Sequence, residues 1–171
     1  PVGIIMKGLE ERGLAENTVI LFLSDHGYHY GEKQLSGKWT PYDESLKIPF
    51  IIYDPRNKNH KGEELDEMVL NIDLAPTILE LAGLEVPASM DGRSMLPLMQ
   101  GKEESWRTEF YFEHYCSPPP IPVYVPRHEG IRTETEKYVR WVDMGNVEEE
   151  YFKLENDPLE ANNLEANNLV D

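Results

Sequence analysis

Ser24-Asp25-His26-Gly27 is the stretch of this sequence whose residue types most readily act together. A carboxylate oxygen and an imidazole nitrogen both donate to divalent cations. Adjacent side chains on a strand point to opposite faces, but where the strand ends and the backbone turns, the two can converge on one ion. Gly27 lets the backbone approach a neighbour closely or take a positive φ. An Asp capping a turn beside a surface histidine would have the same spacing, so both readings stand. Lys38, between Gly37 and Trp39, follows His26 by twelve residues. From a loop at the same strand end it can bind an anionic group or act as an acid; a solvated lysine would look the same. His29, in that loop, could line a substrate cleft or be an ordinary loop histidine. Cys116 is the single cysteine, so the chain has no disulfide within itself and no cysteine-based zinc site.

These residues need elements to hold them. Val19-Ile20-Leu21-Phe22-Leu23 is apolar on both faces, which predicts a buried strand of a parallel sheet. Ile48 to Tyr53 is a second such run, with Pro49 near its start, where a strand tolerates proline. Residues 24–47 between them read as a long irregular loop at the C-terminal end of a strand, where α/β folds bind ligands. Residues 4–14 read as the end of an amphipathic helix closed by Gly13, and Asp73 is expected to cap a helix through Leu74, Ile78, Leu79 and Leu81 to Gly83. Residues 84–105 form a looser segment. Glu109 to Tyr115 reads as a strand. Cys116 to Pro126 holds five prolines and reads as extended loop. Gly130–Thr133 and Lys137–Trp141 predict two antiparallel strands around a turn, and Tyr151–Leu154 adds another. The pattern is α/β first, then a small antiparallel sheet, divided as 1–105 and 106–171.

The 171 residues carry 32 Asp+Glu against 16 Lys+Arg, a formal charge of −16. That argues against a nucleic-acid binder, which needs a Lys/Arg surface. No apolar run approaches the roughly 20 residues that span a bilayer, so no membrane segment is expected. The first residues lack the basic start and cleavage site of a signal peptide. A helix that opens without a cap is expected to come from a longer polypeptide. In the acidic tail, Glu160-Ala161-Asn162-Asn163-Leu164 is repeated at once as Glu165-Ala166-Asn167-Asn168-Leu169. Two copies are too few for a solenoid and read as a duplication in a tolerant surface segment.

An ordered series of motifs covers nearly the whole chain: Leu9-Glu10-Glu11-Arg12-Gly13-Leu14, Ser24-Asp25-His26-Gly27, Gly31-Glu32, Gly37-Lys38, Tyr42-Asp43-Glu44-Ser45, Asp73-Leu74-Ala75-Pro76-Thr77, Met90-Asp91-Gly92-Arg93-Ser94, Gly130-Ile131-Arg132-Thr133, and Phe152-Lys153-Leu154-Glu155-Asn156-Asp157-Pro158-Leu159-Glu160. Together they resemble the C-terminal portion of the sulfatase family, within the alkaline phosphatase superfamily. The resemblance implies an α/β fold: the second half of an alkaline-phosphatase-like sheet sandwich (1–105), then a small C-terminal antiparallel subdomain with an acidic tail (106–171). It implies one calcium ion with Asp25 and His26 among its ligands, and a catalytic Lys38 at the sulfate oxygens. The implied reaction is hydrolysis of a sulfate ester, with a sulfated small molecule or glycan as partner. The implied location is periplasmic, secreted or lysosomal. Alternatives are a metal-dependent phosphodiesterase or phosphonate hydrolase of the same superfamily, or a non-catalytic metal-binding fragment. The family's nucleophile, a Cys or Ser converted to formylglycine in a Cys/Ser-x-Pro-x-Arg motif, is expected upstream. Cys116-Ser117-Pro118-Pro119-Pro120 has proline where that motif needs arginine, so no nucleophile is expected in this chain. Lys33 falls where the family pattern is broken, and its replacement by alanine is expected to be nearly silent on turnover.

Overall fold

The structure is a computed structural model, and it describes residues 1–57, 62–102, 105–115, 125–143 and 148–165. The chain divides into two compact units, one of Pro1–Ser24 with Pro49–Trp106, the other of Asp25–Ile48 with Arg107–Asp171. The expected division after residue 105 lies beside the observed join at Trp106. Residues 25–48, however, pack with the C-terminal unit.

In the first unit, α1 (Val2–Glu11) ends at Gly13, whose φ of +68° only glycine adopts readily. There the Leu14 N–H donates to Leu9 O at 2.9 Å and the Gly13 N–H to Glu10 O at 3.0 Å, closing the helix by a Schellman motif. Strand β1 (Ile20–Leu23) pairs with β4 (Phe50–Tyr53), Ile20 opposite Tyr53. The pairing is antiparallel, which corrects the expectation of a parallel sheet. A parallel pair needs a crossover connection, usually a full helix, and the segment between these strands holds only the one-turn α2 (Asp43–Leu46). Phe22 is 46% and Ile51 60% exposed, so apolar residues on both faces did not mean that both faces are covered.

Helix α3 (Leu74–Leu81) forms where expected, preceded by a 3-10 turn over Asn71–Asp73. Asp73 does not cap it with its side chain. Its buried carboxylate accepts from the Leu70 N–H and the Arg93 N–H, each at 2.8 Å, tying a distant loop to the helix start. Thr77 continues the tie, donating to Asp73 O at 2.6 Å and accepting from the Met95 N–H at 3.0 Å. Beside it, a β-carbon on Gly92 would lie 2.0 Å from Ile72 O, so only glycine fits. The looser segment contains a short helix α4 (Leu96–Met99), and Met95 and Leu98 are buried.

The second unit is built on a four-stranded antiparallel sheet, in the order β5 (Glu109–His114), β6 (His128–Thr133), β7 (Glu136–Trp141) and β8 (Glu148–Lys153). Arg132 lies opposite Lys137, Gly130 opposite Val139, and His128 opposite Trp141. Strand alternation therefore puts Lys137, Val139 and Trp141 on one face, and all three are buried. That face is ring-rich at one end, where His114 and His128 stack at 5.3 Å, and cationic at the other, at Arg132 and Lys137. The segment 25–48 packs on it. Trp39 stacks on His114 at 6.2 Å, Tyr42 meets Phe152 edge-on, and Asp43 pairs with Arg132 and Lys137. The proline-rich stretch, Cys116 included, lies outside the described residues save Val125 and Pro126.

Candidate active site

Within the second unit, a two-stranded hairpin of β2 (His29–Tyr30) and β3 (Ser36–Gly37) folds the loop back on itself, His29 opposite Gly37. This return brings Lys38 to His26. The Lys38 ammonium donates to His26 Nε2 at 2.6 Å, and Asp25 Oδ2 lies 3.3 Å from the same nitrogen. His26 Nδ1 is 2.7 Å from Gly27 O. A carbonyl can only accept, so Nδ1 carries the proton and Nε2 presents its lone pair. The Lys38 ammonium, held on the same nitrogen, brings a positive charge near the Asp25 carboxylate.

Asp25 is 81% exposed along its side chain, and its carboxyl sits below the ordinary carboxylate value. Desolvation is the largest single influence and pushes it up; hydrogen bonding to its own backbone N–H, with the neighbouring His26 and Lys38, together outweigh it. It is therefore ionised and accessible at neutral pH, as a hard cation requires. Asp25 and His26 fit such an ion as a partial donor set: among the described residues no third His, Cys, Asp or Glu joins them.

The backbone around these side chains is held from one place. Ser45 O accepts from the Gly27 N–H at 2.8 Å, and Ser45 Oγ accepts from the Trp39 N–H at 3.0 Å. Helix α2 thus fixes the residue after His26 and the residue after Lys38. A β-carbon on Gly27 would stand 2.0 Å from Glu44 O. The glycine is required for close approach, the first of the two options open from sequence. Trp39 adopts φ of +72°, a left-handed conformation that costs a bulky residue about 1–3 kcal/mol. Its stacking on His114 and its hydrogen bond to Ser45 hold it there, and the Lys38 ammonium lies 5.4 Å from its ring centre.

His29 is fully buried, its Nε2 2.7 Å from Thr40 Oγ1 and its ring edge-on to Tyr42. It holds the hairpin inside the unit and presents no surface to a ligand. Lys33 has a structural role that its sequence position did not show. Its ammonium bonds the backbone carbonyls of Leu159 and Glu160 and lies 4.7 Å from the Tyr42 ring centre. It is a structural clamp on the C-terminal segment.

Sequence reasoning missed Asp43 as the centre of a buried charge cluster. Its carboxylate receives Arg132 Nε at 3.2 Å, Arg132 Nη2 at 3.1 Å and Lys137 Nζ at 2.5 Å. Burial pushes this carboxyl up, but the Arg132 hydrogen bond and the Lys137 charge outweigh it and hold it well below the usual range. Lys137, wholly buried, directs its three N–H donors to Pro41 O, Asp43 and Glu160. The available signal was the position of Lys137 on the Val139–Trp141 side of an alternating strand, where a lysine needs an acidic partner.

The N-sulphoglucosamine sulphohydrolase C-terminal family matches residues 31–170. An arylsulfatase of Clostridium perfringens is 35% identical over 95% of the chain and 32% of its own length. An N-acetylglucosamine-6-O-sulfatase of Bacteroides thetaiotaomicron is 32% identical over 95% of the chain and 29% of its own length. A solved structure in complex with its substrate, D-glucosamine-2-N,6-O-disulfate, superposes with a TM-score of 0.82 at 30% identity, over 98% of the chain and 34% of that protein. The phosphonate monoester hydrolase of Agrobacterium radiobacter also reaches 0.82, at 26% identity, over 96% of the chain and 34% of its own. These neighbours bear out the alkaline-phosphatase-like α/β expectation. The chain spans about a third of the length of the curated relatives it matches. From the motif series, the fold and these matches together, the chain belongs to the sulfatase family, in its C-terminal region.

Proposed function

We propose that this chain is the C-terminal part of a calcium-dependent sulfatase that hydrolyses sulfate esters, with a sulfated carbohydrate as substrate. The observation that carries the reading is the convergence of Asp25, His26 and Lys38 on one point. Asp25 and His26 would hold the calcium ion together with donors from the rest of the enzyme, and the ion would neutralise charge on the sulfate oxygens. Were His26 Nε2 to hold the ion, it could no longer accept from Lys38, whose ammonium would then be free to meet an anion. A sulfate monoester carries one negative charge, and cleavage of its S–O bond builds more on the leaving oxygen. A fixed ammonium there contributes more in the transition state than in the ground state. The nucleophile, a formylglycine, would come from the portion that corresponds to the remaining two thirds of the relatives. The 171-residue chain alone is then expected to show no turnover, and turnover by it alone would overturn this part of the reading. Extracellular action is supported by a relative named as an extracellular sulfatase, from Drosophila melanogaster.

The test is direct. In the complete enzyme, assayed on glucosamine 6-O-sulfate, Lys38→Ala should lower turnover by ~10²–10³, the usual cost of losing one such electrostatic contact. Lys38→Arg should recover part of it, and calcium content should change little. Asp25→Ala should abolish calcium binding measured by calorimetry, and His26→Asn should be milder because calcium accepts an amide oxygen. Unchanged turnover in Lys38→Ala would remove lysine from the mechanism. The phosphonate hydrolase neighbour supports a second reading. Preference for a phosphonate monoester, or recovery of a chelated enzyme by zinc or manganese rather than calcium, would favour it.

A further inference from the structure

We propose that Asp43, acting with Arg132, Lys137 and Glu160, is a positioning residue for the Asp25–His26–Lys38 site. The inference rests on the sulfatase reading only for what the site does, since the positioning is a property of the chain itself.

The connection can be followed atom by atom. The Glu160 carboxylate accepts from the Asp43 N–H at 2.8 Å, satisfying a backbone donor at the start of α2. Its other oxygen pairs with Lys137. The Asp43 side chain is clamped by Arg132 and Lys137 at 2.5–3.2 Å. Arg132, Lys137 and the more exposed Lys47 thus surround the first residue of a one-turn helix, with Glu160 as the second carboxylate. Four residues are too few to form a stable helix in water unaided, so the clamp sets where α2 lies. Ser45 in that turn then holds Gly27 and Trp39, the residues next to His26 and Lys38. A shift of α2 would move both functional side chains by a similar distance, and displacements of about 1 Å can cost ~10² in rate.

The test uses amide hydrogen exchange by NMR on the full 171-residue chain, a readout independent of catalysis. Asp43→Asn keeps the shape and removes the charge. It should speed exchange at the Gly27 and Trp39 amides by about tenfold or more, as expected for loss of a local tie. The β6 amide of Ile131 should keep its rate. The double variant Asp43→Asn/Arg132→Met removes the cation left without its carboxylate, while Lys137 keeps Glu160, and should recover thermal stability. It should leave Gly27 and Trp39 fast. That separation of stability from positioning is what a merely structural role would not produce. Unchanged exchange at both amides would overturn the proposal, as would a uniform rise throughout the unit or restored slow exchange in the double variant. If the sulfatase reading failed instead, the exchange pattern would persist in a protein without sulfate-ester turnover.

Discussion

The two units solve one problem in two ways. Each contains a buried aspartate at a helix entrance and a glycine pressed against the backbone beside it. In the first unit, Asp73 satisfies its carboxylate with the N–H groups of Leu70 and Arg93, and Gly92 abuts Ile72 O. In the second, Asp43 uses the charges of Arg132 and Lys137, and Gly27 abuts Glu44 O. Backbone donors come at little cost because they must be satisfied anyway. Buried charges are expensive and leave a stranded partner if one is removed. The costly version stands next to the candidate active site. The difference teaches that charge pairing here serves to fix a loop that carries function, whereas amide pairing suffices to close a helix.

The contrast can be broken most sharply by deletion of the two carboxylates. Asp43→Ala strands Arg132, takes one of the two carboxylates from Lys137 and should cost about 3–5 kcal/mol. Asp73→Ala leaves unpaired amides and should cost about 1–3 kcal/mol. Urea denaturation measures both, and equal losses would remove the distinction. Next, Gly27→Ala and Gly92→Ala each force a β-carbon into a carbonyl and should cost about 3 kcal/mol. Hydrogen exchange should locate the damage of each in its own unit, and identical patterns would deny that the units respond separately.

Acid should act on the Asp43 cluster. Its carboxyl lies below the unfolded value near 3.8, so the stability it contributes is present above about pH 4. That contribution is lost as pH falls through the folded value. Denaturation midpoints should therefore drop on acidification below about pH 4, and Asp43→Asn should flatten that limb. The smallest contrast is between lysines. Lys33→Ala removes donors to Leu159 and Glu160 and should cost about 1–2 kcal/mol. Lys7→Ala loses one exposed pair with Glu11 and should stay within about 0.5 kcal/mol.

Much of this was legible along the sequence wherever the information is local. The β6–β7 hairpin followed from alternation around a short turn. The ends of α1 and α3 followed from Gly13 and Gly83, both at positive φ. The partner of β1 was not legible, because an apolar run carries no sign of the direction of its neighbour. Asp25, His26 and Lys38 were found as types at the end of a run, and the motif series joined them. The burial of His29 had no local marker. Asp43 looked like one acid among many, because its partners lie in another part of the chain.

That separation has a consequence for the order of events at the ribosome. Asp43 precedes Lys137 by 94 residues and Glu160 by 117. Contacts so distant in sequence close late and slow the approach to the native state. At about 5–20 residues per second, Glu160 is made roughly 6–23 seconds after Asp43. The nascent loop already holds Asp25, His26 and Lys38 throughout that interval, yet lacks the clamp that orders them. A message cut short before the codon for Glu160 would yield a polypeptide with Asp25, His26 and Lys38 present but without the Glu160 tie to the start of α2.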